Sequence, residues 1–162
     1  QNQMENILAG KEYFNEICVE PCFGGLNFDF KMLSEEERWE SAKKTAELNE
    51  RVVTAEGYQE VIKYLKKLLP ELTKGDRRVV FFVPPMTKYL YAAYSQSLKL
   101  NFENQIVSFI KKFTNVEFLD LGCDLRFTDD DFCDFEHLNN EGGVKLTSIL
   151  SDELKIAKEE GK

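Results

Sequence analysis

The chain has 162 residues, 43% hydrophobic and 12% aromatic, enough for one domain with its own core. A net charge of −8 and the lack of any Lys/Arg cluster argue against a nucleic-acid partner. No apolar run reaches the roughly 18 residues of a membrane span, so membrane association would have to come through segments outside this sequence.

Residues 1–33 read as an irregular N-terminal segment. Met4 to Phe14 can carry a short helix, whereas Pro21, Gly24 and Gly25 interrupt any regular element between there and Ser34. The domain proper, residues 34–162, opens at Ser34. There Ser34 and Glu37 form a Ser-x-x-Glu capping box ahead of a charged helix over about residues 35–53, with Leu48 and Val52 on its apolar side. Tyr58, Val61, Ile62, Leu65, Leu68 and Leu69 recur at intervals of three and four and predict a helix over about residues 55–69, closed by Pro70 and Gly75. Val79 to Val83 is a continuous β-branched and aromatic run between Gly-Asp and Pro-Pro, which predicts a strand buried on both faces of a parallel sheet. Thr87–Leu98 and Asn101–Phe113 read as helices, and Val116–Leu121 as a second strand. The acidic loop Thr128–Asp131 comes next, and a final helix runs from about Asn140 to Lys158. This alternation predicts an α/β fold, a three-layer sandwich with a mostly parallel sheet, in which ligands bind at the carboxyl ends of the strands. Two strands are few for such a domain, so residues 1–33 or a part outside this sequence would complete the sheet.

Chemistry concentrates between Asp131 and Leu150. His137 is the sole histidine, and Asp134 lies three residues before it, on a turn leading into the last helix. A carboxylate so placed can fix the imidazole tautomer and stabilise the imidazolium of a hydrolase base. The plain alternative is a capping or surface histidine. Asp129, Asp130 and Asp131, with Asp134 and Glu136, offer hard oxygen ligands without EF-hand spacing, and a solvated acidic loop is the simpler reading. Tyr89, Tyr91 and Tyr94, after Pro84-Pro85, could stack against a sugar or belong to the core. Gly142-Gly143 suits a close approach of the turn to the sheet and not a phosphate loop. Cys18, Cys22, Cys123 and Cys133 match no common zinc spacing, and they allow two local disulfides in an exported protein or four thiols in a cytosolic one. Neither a metal nor another cofactor is expected.

The order of these features, ending in D-x-x-H-L-N-x-x-G-x-x-K, resembles the SGNH/GDSL hydrolase superfamily, and within it the envelope-associated acyltransferase and esterase-like branch. The resemblance covers roughly residues 45–150 and is specific in its final 20 residues. It implies Asp134 as orienting acid and His137 as general base, with Leu138, Asn139, Gly143 and Lys145 continuing the block. It further implies an acyl-ester or carbohydrate substrate and an extracytoplasmic, envelope-associated setting. Gly25-Leu26-Asn27 is a short counterpart of the family's G-x-N-D block, with Asn27 as oxyanion donor and Phe28 where the family has Asp. Tyr89 and Asn139 are the candidate substrate contacts. The family's G-D-S turn is missing. Ser34 reads as an N-cap, and Ser95, Ser97, Ser108, Ser148 and Ser151 fall within or at the ends of helical patterns. The chain is therefore expected to be the C-terminal portion of an SGNH-like O-acyl esterase or acyltransferase whose serine lies upstream. The competing expectation is an inert SGNH-like module that binds glycan or protein.

Overall fold

The computed structural model describes residues 30–54, 56–75 and 77–159. The expected helix from Met4 to Phe14, Cys18, Cys22 and Asn27 lie outside the described residues. A 3-10 turn at Phe30–Met32 leads into helix α1 (Glu35–Thr54). The capping box forms as predicted: the Ser34 N–H donates to Glu37 Oε2 at 2.8 Å, and the Glu37 N–H donates to Ser34 Oγ at 3.3 Å. Helix α2 (Glu56–Leu72) runs two residues past Pro70, and Gly75 at φ 70° turns the chain away.

Strand β1 (Val79–Val83) pairs in parallel with β2 (Val116–Asp120), in the register Val79↔Val116 to Val83↔Asp120. Among the described residues these two strands form the only sheet. The crossover between them holds α3 (Lys88–Ala93), α4 (Gln96–Phe102), a π-helical turn over Glu103–Val107, and the short α5 (Ser108–Ile110). One continuous helix was expected from Thr87 to Leu98. The chain breaks it at Tyr94-Ser95 because both residues are extended, and the Ser95 hydroxyl caps α4 by accepting from the Leu98 N–H. After β2, a 3-10 turn at Asp129–Asp131 precedes α6 (Asn140–Glu159).

The fold is thus α/β, with two separate apolar clusters. In one, Ala42 and Ala46 of α1 meet Phe30, Tyr89, Leu90 and Phe135. In the other, Ile62 and Leu69 of α2 meet Ile106 and Ile110, with Val79, Phe81, Val116 and Phe118 of the sheet packed against them. Two expectations fail here. Leu48 and Val52 of α1 are each 61% exposed, because the small side chains of Ala42 and Ala46 let the opposite stripe approach α3. The strands are half-buried, with Phe82 41% exposed, because the second cluster packs on the face carrying Val79 and Phe81.

Candidate functional site

The segment from Phe132 to Leu138 is a tight loop pinned by its aromatic residues. Phe132 and Phe135 are 3% and 4% exposed, and an antiparallel bridge joins Phe132 to Leu138. The Cys133 N–H donates to the His137 carbonyl at 2.8 Å and closes the turn. Burying residues 132 and 135 forces Asp134, Glu136 and His137 toward solvent.

This loop sits at the carboxyl end of the sheet. Two residues beyond Pro84-Pro85, Thr87 donates to the Phe135 carbonyl from its N–H (3.0 Å) and from its Oγ1 (3.1 Å), while that hydroxyl caps α3 by accepting from the Leu90 N–H. Asn49 of α1 holds the other side. Its Nδ2 donates to Tyr94 Oη at 2.8 Å and to Glu136 Oε2 at 3.2 Å. Burial pushes the Tyr94 phenol up; the Asn49 bond opposes this, and the Glu136 and Glu50 charges add to it.

Within the loop, Asp134 Oδ1 accepts from the N–H groups of Glu136 (2.9 Å) and His137 (2.8 Å). Asp134 Oδ2 lies 2.8 Å from His137 Nδ1. A carboxylate that accepts here calls for a proton on Nδ1, and in the neutral imidazole that tautomer leaves the lone pair on Nε2. The His137 side chain is 58% exposed, and Nε2 has no hydrogen-bond partner among the described residues. The pair thus has the orientation of a base and its orienting acid, with the basic nitrogen facing outward.

The rest of the block is structural. Asn139 accepts at Oδ1 from the Gly142 N–H (2.9 Å), capping α6, and donates from Nδ2 to the Asp130 carbonyl (2.6 Å). Both ends of its amide are engaged, so it serves as a helix cap. Gly142 is the glycine that the packing requires. A Cβ there would lie deep inside contact distance of the Asp131 carbonyl oxygen and 2.9 Å from Leu138 Cδ2, whereas a Cβ at Gly143 meets nothing within 4 Å. The close approach is to the preceding turn, not to the sheet. Lys145 Nζ donates to Asp131 Oδ2 at 2.6 Å.

The acidic run divides its carboxylates among separate partners. Asp129 accepts from Arg38 (2.9 Å) and from Tyr89 Oη (3.1 Å), and Asp130 pairs with Lys31 at 3.2 Å. Asp131, only 4% exposed, holds Lys145 and the Thr128 N–H. Among the described residues, no three His, Cys, Asp or Glu side chains are grouped to hold a metal ion. Tyr89 is 2% exposed, with Trp39 and Phe30 edge-to-face at 4.9 and 6.1 Å and Lys88 over its ring at 4.8 Å. It is a core residue with no face open to a sugar. Cys123 and Cys133 are not joined by a disulfide. Thr87 and Asn49 were not singled out from sequence. A Thr before a helix after Pro-Pro is a legible cap signal, but its second partner, 48 residues away, is not.

Comparison with known family models, curated proteins and solved structures returns no match, so the site stands on its own geometry.

Proposed function

We propose that His137 and Asp134 are the general base and orienting acid of a serine-type O-acyl esterase or acyltransferase of the SGNH kind, acting on a carbohydrate ester such as an envelope glycan. One observation carries this reading. The only histidine has its Nδ1 fixed by a carboxylate that two backbone N–H groups hold in place, and its Nε2 is open, at the carboxyl end of a parallel sheet. In the reaction, Nε2 takes the proton of a serine hydroxyl as the serine oxygen bonds to the acyl carbon. The imidazolium then returns that proton to the alcohol oxygen as its bond to the acyl carbon breaks. Water or an acceptor hydroxyl repeats the sequence in reverse and releases the serine. Asp134 stays ionised throughout.

No described hydroxyl is hydrogen-bonded to His137, so the serine is proposed to come from upstream sequence. The two strands are likewise proposed to be part of a larger parallel sheet in a three-layer domain, a reading supported by the apolar exposure of Leu48, Val52 and Phe82. The missing hydroxyl is also what favours a second reading, an inert SGNH-like module that binds glycan or protein.

Nitrogen-15 NMR separates the first reading from a mere surface histidine, since one imidazole gives one unambiguous pair of ring signals. The expected pattern is protonated Nδ1 with unprotonated Nε2, lost in Asp134→Asn; an Nε2–H tautomer in the wild type would sink the assignment. In a longer polypeptide that supplies the serine, His137→Ala should lower p-nitrophenyl acetate turnover by roughly 10⁴. The 162-residue chain alone should show no His137-dependent turnover. Such turnover would overturn the external-serine part of the reading, and the absence of any His137 dependence in the longer polypeptide would favour the inert module.

A further inference from the structure

Between the sheet face and helices α1, α2 and α4 lies an open, largely apolar cleft of about 610 Å³, walled by Tyr58, Phe81, Val83, Tyr94, Ile106 and Phe118. Voids larger than a water are rare in protein interiors, and this volume falls in the range of small-ligand sites, so the cleft is too large for a packing defect. Its position ties it to the loop of His137 twice. Tyr94, one of its walls, is bonded through the Asn49 amide to Glu136, the residue before His137. Met86, another lining residue, precedes Thr87, whose N–H and hydroxyl hold Phe135. The cleft also includes Val83 and Asp120, the last residues of the two paired strands, so it reaches the same carboxyl end of the sheet.

The polar lining is sparse. Lys99, its only cation, lies 4.5 Å from the centre of the Tyr91 ring with no carboxylate within 4 Å among the described residues. Glu103 is paired with Lys111, and Asp120 accepts from the Gly122 N–H. Tyr58, Tyr91 and Tyr94 add phenol groups to this lining, but against walls that are mostly apolar a sugar would leave most of its hydroxyls unpaired, and an acetyl group would leave most of the cleft empty.

We propose that this cleft is a binding site for a medium-length saturated acyl chain, and that it is the acyl subsite of the Asp134–His137 centre. The second half rests on the functional reading above; the binding itself does not. The substrate class thereby sharpens from an O-acyl ester of unspecified chain length to an ester of a longer fatty acyl group.

The test titrates the 162-residue chain with decanoate, below its micelle concentration, and with acetate. It tracks the ¹³C methyl signal of Met86, assigned through Met86→Leu, against that of Met32, which is 81% exposed and outside the cleft. Decanoate should shift Met86 saturably, with a Kd on the order of 0.1–1 mM, and leave Met32 unmoved, whereas acetate should shift neither. Leu98→Trp, which fills the cleft from its half-buried wall, should weaken decanoate binding by roughly tenfold or more. If that variant fails to fold, the wild-type contrast between Met86 and Met32 still decides. An unmoved Met86 means the cleft is closed by protein, and equal movement of both methionines means surfactant adsorption; either result overturns the proposal. Because the readout is binding, failure here leaves the His137 tautomer assignment intact, and failure of that assignment leaves the binding result intact.

Discussion

Two neighbouring turns use the same residue type for opposite purposes. In the turn Thr128–Asp131, the Asp131 carboxylate points inward, 4% exposed, and is shared by Lys145 and the Thr128 N–H. In the turn Asp134–His137, the carboxylate also holds backbone N–H groups, but its side chain is 36% exposed and it spends its other oxygen on an imidazole whose far nitrogen is open. The first turn is closed on itself and serves to hold α6. The second is pinned at its base by backbone N–H groups and open at its tip, an arrangement that suits the proton transfer proposed for it. The two aspartates lie three positions apart, and burial distinguishes their surroundings.

The sharpest break in this arrangement comes at Gly142, which lets α6 press against the Asp131 carbonyl. Gly142→Ala should destabilise the fold by about 2–3 kcal/mol in urea denaturation, since backbone must move. Gly143→Ala, in open space one residue on, should instead stabilise by about 0.5–1 kcal/mol. Equal effects at the two glycines would dissolve the claim that this contact is specific.

Next in size is Asp131→Asn, expected to cost about 2 kcal/mol at pH 7 through the charge-assisted bonds it weakens. Burial pushes this carboxyl up, but the Lys145 bond, the Thr128 N–H and hydroxyl bonds and the Lys145 charge outweigh it and leave it below the ordinary carboxylate value. A lowered folded value means the contribution is complete above the reference 3.8 and fades as pH falls from there through the folded value. Stability measured against pH should therefore show an acid-side loss in the wild type that is smaller in Asp131→Asn. A variant with an unchanged acid limb would refute the assignment.

Thr87→Val keeps the side-chain shape but removes the hydroxyl shared by the α3 cap and Phe135. We predict a loss of about 1–2 kcal/mol by thermal or urea unfolding, with the His137 ring signals broadened or shifted as its loop loosens. Unshifted signals would show that the second turn is held without it. Smallest is Asp134→Asn, which retains an acceptor for the two backbone N–H groups and should change stability by less than about 0.5 kcal/mol while scrambling the imidazole tautomer. A stability loss as large as that of Asp131→Asn would erase the distinction between the two turns.

The sequence by itself determined what is local. The Ser34–Glu37 box, the two apolar strand runs and the Asp134–His137 spacing all report hydrogen bonds or periodicities within a few residues, and the structure has each of them. Only the tertiary structure decided which stripe of α1 is buried, since Ala42 and Ala46 displace Leu48 and Val52 through the close approach of α3. It also decided that Tyr89 is core, that Gly142 and not Gly143 is the packing glycine, and that the acidic run is divided among Arg38, Lys31 and Lys145. These outcomes depend on partners far away in the chain, such as Arg38 and Asp129, 91 residues apart. A carboxylate's neighbours set its role, and for these residues the neighbours arrive only when the chain has folded.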